Sequence, residues 1–311
     1  MVEAKLLGET TPKEILNRFI ERVEEKVREQ KPWLALGQWV QGMAASKHLA
    51  LYSKNPDIQE FFEEWGMSGA LPPANEGEDY FMAVHTSIGG NKTDPYIRND
   101  IHHDTTIKED GSLLNQVTIT RTHHWNDTER LRLKNLLASF GFKNAELWLI
   151  DLLGGGPNTS MMRIYVPKGS QLVSTYGLAL SDPSSLQTTD YSLPAVAGLQ
   201  TNYDPDLDLN YFSFTHTVYP GTSSTFSLSY TLPISLTFDP LSEYRLTVAK
   251  QPSDKNTTFT KTILSDPSLI HYRSFPEGLV ETASGAAGET APTVPPSQNA
   301  TPSRRLYQFT S

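Results

Sequence analysis

Two histidine pairs, His102-His103 and His123-His124, are the residues best suited to chemistry, and Asp100 and Asp104 flank the first. Imidazoles and carboxylates together are the donor set of zinc and related metals. Asp100, His102 and Asp104 are also the candidates for acid–base work. Asp204-Pro-Asp-Leu-Asp adds three carboxylates at spacing two, Asp204, Asp206 and Asp208, as a candidate calcium segment. An EF-hand loop needs Gly at its sixth position and Glu at its twelfth. Here those positions hold Leu209 and Thr215, so that motif is excluded. Gly89-Gly-Asn-Lys-Thr invites comparison with a phosphate cradle, but it lacks the GxxxxGK[ST] spacing, and Asp94-Pro95 follows where a helix should begin. It reads as a tight turn, with Asn91 and Lys92 as candidate binding residues. No GxSxG elbow occurs. Five Asn-x-Ser/Thr sequons, at Asn91, Asn126, Asn158, Asn256 and Asn299, matter only in a glycosylating pathway.

Composition narrows the classes. The chain has 311 residues, 38% of them hydrophobic and 20% charged, as in ordinary globular proteins. A formal net charge of −9 argues against a general nucleic-acid binder, because there is no basic surplus to neutralise phosphates. With no cysteine, disulfides, thiolate catalysis and cysteine-ligated metals are excluded. The most apolar run, WLALGQWVQGMAASKHLALY, is too polar to cross a bilayer, and no signal peptide opens the chain.

The elements that must position these residues fall into three zones, and the fold class expected is α+β. Residues 1–70 read as helices. Thr11-Pro12 is a start signal, and Ile15, Leu16, Phe19, Ile20, Val23 and Val27 form one stripe. A second helix is expected over Pro32–Lys54 and a third over Pro56–Trp65, stopped by Gly66; packing as a small bundle is the expectation. Residues 78–255 read as an antiparallel β-sandwich, immunoglobulin-like, with period-two alternation in SLSYTL and YRLTVA. A short helical insertion over 128–153 interrupts it. Leu147-Trp-Leu-Ile in that insertion is weighed as a membrane-surface dip, but Glu146 and Asp151 favour packing on the sandwich. Residues 276–311, rich in Ser, Thr, Pro and Ala, read as a disordered tail.

The hairpin around Glu109-Asp-Gly tests the metal hypothesis. With Gly111 left-handed in a three-residue loop, Ile107 pairs with Leu113, His103 with Val117 and Ile101 with Ile119. Aliphatic residues of both strands then share one face. Asp100, His102 and Asp104 share the polar face, opposite Thr120, Thr118 and Gln116. A slip of one residue would break this agreement. His124 then lies six residues beyond the partner of His102, roughly 20 Å away. Zinc ligands converge within about 2 Å of the ion, so the two pairs do not share a metal. A solvated polar strand face is the reading, with no cofactor expected and calcium at Asp204, Asp206 and Asp208 as the alternative.

IGGNKTDPYIRNDIHHDTTIKEDGSLLNQVTITRTH, then RIYVPKGSQLVS, Val218-Tyr-Pro-Gly-Thr, SLSYTLP and LTVAKQPS, resemble an uncharacterised bacterial family catalogued as domain of unknown function 4012. The resemblance covers residues 45 to 255 in the family's order. It implies an envelope protein on the extracytoplasmic face, with this chain as the C-terminal part of a longer parent that carries a membrane tether upstream, or as a shortened relative. The Leu-rich insertion departs from the family pattern. The family supplies no catalytic residues.

The function expected is a non-enzymatic surface module binding a partner protein or cell-wall glycan. One alternative is a hydrolase of envelope polysaccharide with carboxylates such as Asp100, Asp104 or Asp204. The other is a calcium-dependent adhesion-like module.

Overall fold

The computed structural model describes residues 14–30, 33–45, 47–139, 141–142, 146–178, 198–238, 241–252, 254, 256–266, 270–275 and 303–310. The class is mixed α+β. The chain divides into two compact units, Met1–Gly69 with Arg132–Ala145, and Ala70–Leu131 with Glu146–Ser311.

The first unit carries helices α1 (Glu14–Gln30), α2 (Trp33–Ala45) and α3 (Pro56–Glu64). Thr11 and Pro12 lie outside the described residues. In α1, Ile20 and Val23 of the apolar stripe are 46% and 45% exposed. Helix α2 ends well before Lys54, which corrects the longer span read from sequence. Lys47 adopts a left-handed φ of 58°, and the amides of His48 and Leu49 return to the Met43 carbonyl. This reversal closes the last turn as a left-handed residue does at a helix C-terminus. Helix α3 is capped by Asn55, whose Oδ1 accepts from the Asp57 amide at 3.0 Å, with Pro56 at its start.

The second unit is built from twelve strands among the described residues. The first group is β1 (Asp79–Ser87), β2 (Ile97–Ile107), β3 (Ser112–His123), β4 (Asn158–Pro167), β5 (Gln171–Tyr176) and β6 (Gln200–Asp204). The second is β7 (Leu209–Val218), β8 (Ser223–Ser235), β9 (Leu241–Ala249), β10 (Thr257–Ser265), β11 (Ile270–Phe275) and β12 (Ser303–Thr310). They form a seven-stranded sheet in the order β11-β12-β9-β1-β4-β7-β6 and a five-stranded sheet in the order β10-β2-β3-β8-β5. Between β3 and β4 run α4 (Asp127–Ser139), α5 (Leu147–Ile150) and a π-helical turn, Asp151–Gly155.

Three expectations need correction. The sheets are mixed, because β1 runs parallel to β9 and β10 parallel to β2. The β-rich region also continues past residue 255 through β10 and β11. Finally, Ser303–Thr310, read as disordered tail, pairs antiparallel with β9 over eight residues and with β11. Ladder hydrogen bonds on both sides of the strand supply what its poorly apolar surroundings in sequence do not. Residues 276–302 lie outside the described residues.

The hairpin register is the one the aliphatic pattern dictates. Ile101 faces Ile119, His102 faces Thr118, His103 faces Val117 and Ile107 faces Leu113. Gly111 has a φ of +79°, and a Cβ there would stand 2.0 Å from the Leu236 carbonyl oxygen. Only glycine fits this turn. One core lies between the sheets. Phe81, Ile164, Phe212 and Leu246 from the seven-stranded sheet meet Ile101, Val117, Phe226 and Leu228 from the five-stranded one. A second cluster, Tyr80, Met82, Tyr165, Leu209 and Ala249, lies on the other face of the seven-stranded sheet. Among the described residues, no helix is long and apolar enough to cross a membrane.

Candidate functional site

The alternation that buries Ile101 and Val117 also carries polar side chains inward. His103, Thr105, Asn115, Arg121 and His123 all lie on the buried face of the hairpin. Around them form two polar clusters between the sheets. They are separated on β3 by the six residues from Asn115 to Arg121, roughly 20 Å.

In the first cluster, Lys261 of β10 enters the core with no exposed surface. Its Nζ donates to His103 Nδ1 at 2.8 Å and to Thr105 Oγ1. His103 therefore carries its proton on Nε2, which donates to the Tyr230 hydroxyl at 3.3 Å. Thr105 donates to Asn115 Oδ1 at 2.5 Å, and Asn115 Nδ2 donates to Asp79 Oδ2 at 2.8 Å. Tyr244 donates to the same Asp79 oxygen. An ammonium of the five-stranded sheet is thus joined to a carboxylate of the seven-stranded sheet through threonine and asparagine. Burial pushes the Asp79 carboxyl up from 3.8, against the opposing pull of Lys261 and its hydrogen-bond donors. Burial first, then Lys261, holds His103 well below 6.5. Tyr230 and Tyr244 are raised well above 10, by burial first and by Asp79 second.

The second cluster centres on Arg121, whose five N–H groups all donate to neutral acceptors. Nε donates to Asn99 Oδ1 at 3.3 Å, and Nη1 to the carbonyl and Nδ1 of His216, both at 3.2 Å. Nη2 donates to Asn158 Oδ1 at 2.6 Å and Ser160 Oγ at 3.1 Å. Asn158 passes the contact on to Asp94 Oδ1 at 2.8 Å. Burial lowers Arg121 to about 10 and, with Arg121, lowers His216 to about 4. Both clusters tie one sheet to the other. The first is buried throughout and the second reaches the surface at Asp94, and both are suited to holding sheet register.

The residues singled out in the sequence sit elsewhere. Asp100, His102 and Asp104 project from the outer face of the five-stranded sheet. Asp100 pairs with Arg98 at 2.9 Å and accepts from Thr258 Oγ1 at 2.5 Å. Burial raises its carboxyl while Thr258 and Arg98 lower it, and the net shift is downward. Asp100 and Asp104, four residues apart on one strand, stand roughly 13 Å apart. Glycoside hydrolysis needs carboxyls within about 5–9.5 Å. Asp204 belongs to the other sheet. Its Oδ1 accepts from the amides of Asp206 and Leu207, which makes it a turn cap. Asp208 pairs with Lys168 at 2.8 Å and accepts from Tyr203 at 2.5 Å. Among the described residues, no group of three or more His, Asp or Glu side chains is placed to hold a metal ion. Asn91 braces its turn, donating to the Pro157 carbonyl and accepting from Thr93 Oγ1, both at 2.8 Å. The Lys92 amide donates to Leu152 O at 2.8 Å.

What the sequence reading missed is the regularity of that outer face. One row across the strands reads Thr260, His102, Thr118, Ser227, Tyr176. The next reads Thr258, Asp100, Thr120, Thr225, and the third Thr262, Asp104, Gln116, Ser229, Ser174. Hydroxyls bond across strands, Thr120 to Thr225 and Thr122 to Ser223, both at 2.8 Å. The signal was present in the alternate positions of TITRT and SSTFSLSYT.

No protein-family model matches this chain, and no curated protein matches it. Among solved structures, it is similar to a Legionella pneumophila protein assigned, as a candidate, to nutrient binding. The TM-score is 0.39 at 9% identity, over 75% of this chain and 71% of that one. It is also similar to yeast LTA4 hydrolase, with a TM-score of 0.31 at 6% identity over 70% of this chain and 29% of that one. An M1 zinc metallopeptidase of Deinococcus radiodurans gives 0.25 at 11% identity, over 71% and 41%. Likeness at this level carries no functional argument.

Proposed function

We propose that this chain is a non-enzymatic interaction module of the bacterial envelope, exposed on the extracytoplasmic face and carried by a longer, membrane-tethered parent. Its β-rich unit is an immunoglobulin-like sandwich of the family catalogued as domain of unknown function 4012, and it binds a cell-wall glycan or a partner protein. The observation that carries this reading is the division of polar groups. The titratable cluster best arranged for chemistry is sealed between the sheets, whereas the outer face presents short polar side chains in rows. The sequence resemblance supports the location.

The test is co-sedimentation of the purified chain with isolated cell-wall sacculi, while soluble reducing ends are measured in the supernatant. Saturable retention without release of fragments is the expected result. Release of fragments would replace the module with a hydrolase, and absence of retention would remove the glycan reading.

A further inference from the structure

The outer face of the five-stranded sheet differs from an ordinary solvated strand face in what it lacks. Protein surfaces mix charges of both signs, which keeps them soluble and unattached, although Thr is itself a favoured strand residue. Here the outward positions Thr258, Thr260 and Thr262 of β10, Gln116, Thr118, Thr120 and Thr122 of β3, and Thr225, Ser227, Ser229 and Thr231 of β8 are uncharged hydroxyls or amides, and the row at one end adds Leu264 and Leu114. The charges on the face lie on β2, where Arg98 and Asp100 pair at 2.9 Å and Asp104 stands between Thr262 and Gln116.

Building on the module reading above, we propose that this face binds an uncharged, polyhydroxylated chain, a neutral glycan. Tyr176 stands at the margin of the array beside Ser227 as a stacking platform. Three physical features fit that ligand. The array repeats at about 4.8 Å across strands and about 6.8 Å along them, over a width of roughly 19 Å, so it is long enough to meet several sugar units at once. Each hydroxyl both donates and accepts, as the ligand's hydroxyls do. Ser and Thr also lose little side-chain freedom on ordering, whereas Lys or Glu would lose up to about 2 kcal/mol each. Tyr176 is 77% exposed, and its ring offers an apolar surface for a sugar face. A strongly anionic ligand fits poorly, since Asp104 faces outward on the same array and the chain carries a net charge of −9.

The experiment uses the full chain and a panel of soluble neutral polysaccharides (β-glucan, mannan and dextran) in affinity gel electrophoresis. Two variants of the face are compared, Thr118→Lys/Ser227→Lys and Tyr176→Ala, with Thr217→Lys on the other sheet as control. Far-ultraviolet circular dichroism and thermal melts establish that each is folded. The expectation is retardation of the wild type by at least one polysaccharide, a loss of at least tenfold in the double variant, a smaller loss in Tyr176→Ala, and no change in the control. Equal retardation of wild type and double variant overturns the proposal, as does absence of retardation by every polysaccharide. If sacculi still retain the double variant as they do the wild type, the module reading stands and this face is not its binding surface. Should the double variant fail to fold, Thr118→Val/Ser227→Ala removes the same hydroxyls without adding charge, and unchanged retardation of that variant is equally contrary.

Discussion

Replacing Arg121 with Met keeps an unbranched apolar stem and removes five buried N–H donors. Asn99 Oδ1 and the carbonyl and Nδ1 of His216 lose the donor described above, while Asn158 Oδ1 keeps Ser160 Oγ at 2.8 Å. Five hydrogen bonds at about 1 kcal/mol net would give about 5 kcal/mol. The relief of a desolvated cation, which leaves no uncompensated charge among these neutral acceptors, offsets part of this. A loss of about 4 kcal/mol is therefore expected. Urea unfolding followed by tryptophan fluorescence reads it, because Trp125 is buried four residues away. With a slope near 2 kcal/mol/M, the midpoint should fall by about 2 M. Arg121→Lys should lose nearly as much, since a single ammonium cannot reach acceptors on three strands. A loss below about 1 kcal/mol in the Met variant would mean that water satisfies these groups and that the cluster does not hold the sheets together.

Acid should destabilise the fold. His216 is held at about 4 by burial and Arg121, and burial holds His85, His103 and His123 below 6.5. Folded values below unfolded ones give stability that is complete above about pH 6.5 and lost as pH falls toward 4, about 3 kcal/mol from His216 alone. Asp79 is raised, so its contribution has the opposite sign: it is present below 3.8 and lost as pH rises through the folded value. Thermal melts should fall between pH 6.5 and 4.5, and a flat profile would contradict the buried histidines. Gly111→Ala should cost more than about 2 kcal/mol, from a left-handed φ and a clash with the Leu236 carbonyl; a melt within error of wild type would refute the turn geometry. Millimolar calcium should shift the melting temperature by less than about 1 °C, because Asp204 caps its own turn and Asp208 is paired with Lys168; a rise that saturates with calcium would revive the adhesion-like alternative.

The hairpin was legible because two aliphatic stripes admit a single register, and that register also showed that the two histidine pairs cannot share an ion. The same register places His103, Thr105, Asn115 and Arg121 inward, yet those residue types are usually exposed, so their burial was not inferred. Asp79 and Lys261 come from strands 182 positions apart in sequence, and no local pattern announces that they meet. Strand β12 was lost in the composition of the preceding Ala/Thr/Pro-rich stretch, although RRLYQFT alternates as a strand does. The overlong second helix failed for a local reason, the left-handed Lys47, at a residue type that seldom adopts that conformation.

The most direct test of the glycan-binding face is a titration of isotopically labelled chain with the polysaccharide that retards it, followed by backbone amide shifts. The account predicts saturable shifts concentrated at Thr118, Thr120, Thr225, Ser227 and their neighbours on β2, β5 and β10, with the seven-stranded sheet unmoved. Shifts confined to the helical unit or to the seven-stranded sheet, or none at saturating polysaccharide, would contradict it.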